Sequence, residues 1–317
     1  MNVLPYIATG TAHGKIILIG EHSVVHNEPA IAIPFTSANV EVSIEELYGE
    51  STIESIYHTG RLKDAPKTLN NLIETLEAVC RHFNKKPENM HIIIKSSIPA
   101  ERGMGSSAAV ATALIRALFN YYKTELTEDL LDNFVTISEV IAHGNPSGLD
   151  AKVVRSEESV YFIRNKGSEF FSVDLPGYLV VADTGQQGET GQAVSDVGKL
   201  LTDPSTNAER LISDLGILTR DARKQIDEKN LVQLGRVLSK AQENLKDLTV
   251  SNKTLDLFVK TAIEQGALGA KLTGGGRGGC MISLTESLEQ AENISKALLD
   301  VGAVDTWIHP LGEDTYD

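Results

Sequence analysis

Between a strand-like run at 91–95 and an alanine-rich helical stretch, the chain reads Pro99-Ala-Glu-Arg-Gly103-Met104-Gly105-Ser106-Ser107-Ala108-Ala109. This junction constrains the fold more than any other segment. Glycines let a backbone turn its amides toward a ligand, and a helix N-terminus adds roughly half a positive charge. Together they bind phosphate. A tight turn with a serine N-cap explains part of the pattern. It does not explain glycines, serines and alanines gathered in pairs at one junction. Ser107 adds a hydroxyl that reaches a phosphate or a magnesium ion.

The nucleotide is a separate question. Gly103-Met104-Gly105-Ser106-Ser107-Ala108 also fits the dinucleotide pattern G-x-G-x-x-A. That reading requires a second strand ending in an acidic residue about 20 positions on. Here the region is helical and leads into Thr124-Glu-Leu-Thr127, the opening of another helix. Gly10-Thr-Ala-His-Gly14-Lys15 has neither the spacing nor the Ser/Thr of a Walker loop. The chain contains no His-Arg-Asp, Asp-Phe-Gly or Gly-x-Ser-x-Gly sequence, which disfavours a protein kinase and a serine hydrolase.

At 317 residues the chain exceeds the size at which a single core stops growing, so two domains are expected. Texture changes near Pro176-Gly177, which suggests domains at 1–175 and 176–317. Strands and helices mix without a regular βαβ period, which favours α+β. A net charge of −14 argues against nucleic acid and, more weakly, against an anionic membrane. It leaves an anionic metabolite open, because a few local cations and amides can reverse the field within a cleft. No apolar run has membrane-spanning length, no leader pattern opens the chain, and two cysteines suit a reducing compartment. A cytoplasmic protein is expected.

Periodicity places a strand over 40–45, a helix after Pro66 and a hairpin joined by Asn165-Lys166-Gly167. It puts Leu130, Phe134, Ile137 and Ile141 on the apolar face of a helix, with Glu139 opposite as a solvated charge. Three further segments carry chemistry. Lys15 and the pair Glu21-His22 flank the apolar run 16–19, although such residues are commonly a solvated strand end and a core histidine. His143-Gly-Asn145-Pro146-Ser147-Gly148-Leu149-Asp150 is a turn followed by a carboxylate, suited to accept a hydroxyl proton or to cap a helix. Lys271-Leu-Thr273-Gly274-Gly275-Gly276-Arg277-Gly278-Gly279-Cys280 lets backbone approach a ligand closely, or forms a flexible loop.

In this order the segments resemble the three motifs of the GHMP kinase superfamily, and within it the mevalonate kinases, over residues 14–279. The resemblance implies a two-domain α+β kinase: an N-terminal ribosomal protein S5 domain 2-like part, a C-terminal ferredoxin-like part and an active site in the cleft between them. It implies ATP as co-substrate, Mg2+ as cofactor and phosphorylation of the C5 hydroxyl of mevalonate on the route to isoprenoids. Pro99, Gly103, Met104, Gly105, Ser106, Ser107 and Ala108 would wrap the ATP phosphates. Ser107 and Glu139 would hold the metal. Asp150 would take the hydroxyl proton, and Lys15 would lower the pKa of that hydroxyl and steady Asp150. Glu21, His22, Ser147, Arg164, Thr184, Thr273 and Gly274 would contact substrate. A homodimer is compatible with the resemblance. Another kinase of the superfamily, phosphomevalonate kinase foremost, and a non-catalytic nucleotide-binding relative are the alternatives. A doubly charged substrate would call for more cations, for which Arg102, Arg164 and Arg277 are the candidates. The chain departs from the family pattern at His13, where proline is common and whose loss leaves the strand entry less rigid. It departs again at Arg277, inside a cluster of small residues.

Overall fold

A computed structural model describes residues 6–143 and 148–312. Contacts divide the chain into two interleaved units. The first comprises the chain up to Gly14, Ala38–Pro99 and Gly105–Ser156; the second comprises Lys15–Ser37, Ala100–Met104 and the chain from Glu157 onward. Two long strands, β1 (Ile7–Ile19) and β2 (Pro29–Glu46), pass from one division to the other. Their burial changes with them. Residues 7–12 alternate between exposed and buried, the mark of a strand with one covered face, whereas the run after Gly14 is almost wholly buried.

In the first unit the end of β2 pairs antiparallel with β5 (Met90–Ser96), in register Val42↔Ile94. Strand β3 (Thr52–Ser55) joins β5 in parallel and forms a hairpin with β4 (His58–Arg61). Three helices pack on one another: α1 (Asn70–His82), α2 (Ser106–Tyr121) and α3 (Glu128–His143). The short α4 (Leu149–Val153) follows. Alanines at 108, 109, 111, 113 and 117 of α2 are buried, which gives neighbouring elements close access to its backbone. The ring nitrogens of His13 lie 2.8 Å from the Gly14 carbonyl and 3.0 Å from that of Ser156, and a neutral ring donates to one of the two, which gives the strand entry a single side-chain tie.

In the second unit the start of β2 pairs with β6 (Ser159–Ile163), which continues as the expected hairpin into β7 (Gly167–Phe171). A four-stranded antiparallel sheet runs in the order β11-β8-β10-β9, with β8 at Tyr178–Asp183, β9 at Gly269–Thr273, β10 at Cys280–Thr285 and β11 at Asp305–Pro310. Five helices complete the unit: α5 (Thr190–Thr202), α6 (Ala208–Asp227), α7 (Leu231–Asp247), α8 (Lys253–Glu264) and α9 (Leu288–Asp300). Helices α7 and α8 pack on β9, and α9 packs on β8 and β11. Among the described residues no helix is long and apolar enough to cross a membrane.

Candidate active site

In the first unit, α2 starts at Ser106 with Gly105 as its N-cap in the left-handed conformation (φ 73°). No side chain caps this helix, so the first-turn amides stay available and the serine hydroxyls are not consumed as caps. The Asn71 amide of α1 instead donates to Ser107 Oγ and to Ser138 Oγ, at 3.3 Å each. Three helices thus meet at one polar point. Ser138 precedes Glu139, and here the pattern reading needs correction. Glu139 is 5% exposed, whereas Ile137 and Ile141 are 38% and 42% exposed. The buried face of α3 is Leu131, Phe134, Val135, Ser138 and Glu139, rotated away from the apolar stripe. Placing a carboxylate inside is costly unless it is matched by partners or ligand. Asp150 is the second residue of α4, whose N-cap is Gly148, so it is not the helix cap. Ser147 lies outside the described residues.

In the second unit the segment around Gly103 is fastened at several points. The Lys15 amide donates to the Met104 carbonyl at 3.0 Å. Lys15 is 2% exposed, so the solvated strand end is ruled out. Arg102 donates through Nε to Asp183 Oδ1 at 2.8 Å and through Nη2 to the Gly185 carbonyl at 3.0 Å. A Cβ on Gly103 would lie 3.2 Å from the Gly274 Cα, so the two glycines permit a backbone approach that side chains would crowd. Thr273 donates to the Ile17 carbonyl at 2.9 Å. Thr184 donates to the Gly279 carbonyl at 2.7 Å and accepts from the Gln186 amide at 3.2 Å. Both threonines are buried.

Glu21 and His22 form a buried corner. Glu21 Oε1 receives Lys271 Nζ, which also donates to the Leu272 carbonyl at 2.6 Å. Neither partner of this ion pair is exposed. Burial pushes the Glu21 carboxyl up and the Lys271 ammonium down, and each opposes the shift through its charge on the other. His22 Nε2 lies 3.0 Å from the Gly275 carbonyl. A carbonyl only accepts, so Nε2 carries the proton and Nδ1 is left as an acceptor. Among the described residues Glu21 Oε2 and His22 Nδ1 are buried without a hydrogen-bond partner. Arg164 follows β6 directly, is half-buried and adds its charge to burial in depressing the His26 pKa.

The sequence assigns no role to Lys271, which only opens the glycine-rich segment, and none to Asn71. Lys271 sits mid-strand in Gly-Ala-Lys-Leu-Thr, and a lone lysine between buried apolar neighbours was the available signal. Asn71 gave no signal, since its role depends on two helices that come later in the chain.

Two family models match the chain: the GHMP kinases N terminal domain over residues 70–154 and the GHMP kinases C terminal over 222–304. Mevalonate kinase from Pyrococcus abyssi is 30% identical over 302 residues, 89% of either chain. The Pyrococcus horikoshii enzyme is 31% identical and covers 86% of this chain. Among solved structures, mevalonate kinase from methicillin-resistant Staphylococcus aureus is 35% identical with a TM-score of 0.76, covering 96% of this chain and 99% of its own. L. major mevalonate kinase in complex with R-mevalonate is 27% identical with a TM-score of 0.81, covering 97% of each. With both family models matched in order and likeness running through nearly the whole length, the chain belongs to the GHMP kinase family of ATP-dependent small-molecule kinases.

Proposed function

We propose that this chain is a mevalonate kinase, transferring the γ-phosphoryl group of ATP to the C5 hydroxyl of (R)-mevalonate. The observation that carries the reading is the Glu21–His22 corner, with one carboxylate oxygen and one ring nitrogen buried and without a partner among the described residues. Two acceptors suit an alcohol with two hydroxyl groups, which mevalonate is. A buried carboxylate repels another, so the substrate carboxylate belongs elsewhere, and Arg164 is its proposed partner. The mevalonate kinases named above supply the substrate identity.

In the transfer, a bond forms between the C5 oxygen and the γ-phosphorus, the bond from that phosphorus to the β-phosphate oxygen breaks, and Asp150 takes the hydroxyl proton. Lys15 favours the developing alkoxide by its charge. The amides of Gly103–Ala108 hold the phosphates, with Pro99 setting the entry of the loop. Such transfer depends on positioning and charge stabilisation more than on covalent chemistry. Magnesium takes hard oxygen ligands, often one or two carboxylates with substrate phosphates. The Ser107 hydroxyl and the Glu139 carboxylate fit this set, and Asn71 fixes Ser107 together with the neighbour of Glu139. These two residues would hold the ion, which neutralises phosphate charge when bound. A cytoplasmic setting agrees with the two buried free thiols, Cys80 and Cys280.

Phosphomevalonate as substrate is less well supported. Two of the three candidate cations are already engaged, Arg102 by Asp183 and Arg277 by Asp196. The test is ADP release with Mg-ATP and mevalonate, phosphomevalonate, homoserine or galactose offered in parallel. Turnover is expected with mevalonate alone. Asp150→Asn and Lys15→Met should each lose about a hundredfold or more in kcat, roughly 3–4 kcal/mol, while ATP still binds. Near-normal turnover in either variant removes the role assigned to that residue.

A further inference from the structure

Arg277 stands among five glycines in the segment 274–279. Its backbone is left-handed (φ 57°), a conformation uncommon for a residue with a Cβ and sustained only when the surroundings dictate it. Three contacts do so. The amide donates to the Val250 carbonyl at 2.8 Å. Nε donates to the Thr249 carbonyl at 3.3 Å, and Nη1 donates to Asp196 Oδ2 at 2.7 Å. The other oxygen of Asp196 accepts from Gln192 and Lys199, so α5 presents a carboxylate already fixed in place. Lys199 and Arg277 hold that carboxyl down at about 2, which keeps it ionised.

The glycines on either side leave no room to spare. A Cβ on Gly275 would sit 2.1 Å from Thr190 Oγ1, at the start of α5. A Cβ on Gly276 would meet the Val250 carbonyl oxygen at 2.1 Å. The Gly275 carbonyl is also the partner of His22 Nε2. A continuous set of contacts therefore leads from Asp196 through Arg277 and the glycine backbone to the ring that faces the buried corner. Glycine-rich backbone loses the most conformational freedom on ordering. An anchor in its middle removes part of that cost before a ligand arrives.

We propose that Arg277 is a positioning residue: tied to Asp196 and to the Thr249 carbonyl, it fixes the glycine loop so that Gly275 holds His22, and it does not bind phosphate itself. The functional part rests on the reading that His22 contacts mevalonate.

The variants are Arg277→Gln, Arg277→Lys and Asp196→Asn, with the double variant of the two neutral replacements. Gln bears the same positive-φ cost as Arg but is shorter and lacks the guanidinium, so it removes the Asp196 and Thr249 contacts without changing the backbone demand. Two readouts are taken on the full-length protein: hydrogen exchange of the 274–279 amides without ligand, and KM and kcat for mevalonate and for Mg-ATP. Arg277→Gln should speed exchange across the loop and raise the mevalonate KM about five- to tenfold, with kcat and the ATP KM within about twofold. Asp196→Asn should match it, the double variant should add little, and Arg277→Lys should recover most of the loss. Unchanged loop exchange in Arg277→Gln overturns the proposal. So does a rise confined to the ATP KM, which would make Arg277 a phosphate ligand, or a lower melting temperature with every KM unchanged. If the parent protein ignores mevalonate, the substrate reading fails, and the exchange readout still decides whether Arg277 orders the loop.

Discussion

His22 combines a positive φ (61°), at the centre of a tight turn in which the Ser23 amide donates to the Glu21 carbonyl at 2.7 Å, with a ring sealed from water, and its titration carries a consequence for stability. Burial first, then the nearby charges of Arg277, His26 and Lys271, lower its pKa from 6.5 to about 4, against the pull of the Gly275 carbonyl. The unfolded chain therefore binds a proton as pH falls below about 6.5, while the folded chain stays neutral until near 4. More protons on the unfolded side mean that stability falls with falling pH across this window, by up to about 3 kcal/mol from this group. Asn is among the residues that most readily carry a positive φ, and His22→Asn removes the titration. Urea unfolding of parent and variant between pH 7 and 4.5 should show the variant losing about 2–3 kcal/mol less. Equal losses would mean that the ring is not held neutral. At this scale the sequence disclosed which residues carry chemistry but not how they are housed. Lys15 and Glu21 were legible as motif members, whereas the ion partner of Glu21 lies in a distant strand. The threonines show the same limit: their hydroxyls are spent partly on carbonyls of Ile17 and Gly279, contacts that no local pattern announces.

Among elements, α3 teaches the most. Its apolar periodicity is real, but packing against α1 and α2 selects a face that includes Ser138 and Glu139 and leaves Ile137, Val140 and Ile141 outward. The buried face thus departs from the hydrophobic stripe and takes in a carboxylate, so the stripe gives the wrong orientation. Mutational cost should follow burial rather than apolarity. Leu131→Ala, at a buried position, should cost about 2–5 kcal/mol in chemical denaturation. Ile141→Ser, at a half-open position, should stay within about 0.5 kcal/mol. A large loss at Ile141 would mean that the stripe is covered in solution. Helix α2 was read closely from its alanines, and the β6–β7 hairpin from its turn residues. Strand β9 was not read at all. All five of its residues are buried, so alternation is absent, and glycine and lysine both mask a strand.

For the molecule as a whole, composition and motif order were enough for a two-domain α+β kinase. The interleaving of the units was not legible, because it depends on strands whose halves join different partners. The second unit takes residues 15–37 from the N-terminal end. Within it, Pro29–Ala32 pairs with Val160–Ile163, and Glu21 supplies the countercharge of Lys271. A fragment of residues 157–317 lacks both. It should fail to unfold cooperatively in denaturant, because β6 loses a neighbour and a buried ammonium is left alone, a defect worth about 3–5 kcal/mol by itself. A sharp two-state transition in that fragment would show that the N-terminal strands are dispensable to it.

The same ion pair sets a clock on biosynthesis. Glu21 and Lys271 are 250 residues apart in the chain. At about 5–20 residues per second, the ribosome reaches Lys271 roughly 12–50 s after Glu21. For that interval the apolar run beside Glu21 has no finished core to enter. The nascent chain must keep one of its most hydrophobic segments from other partners until its second unit has been synthesised, so closure of that core belongs to the last stage of translation or follows it.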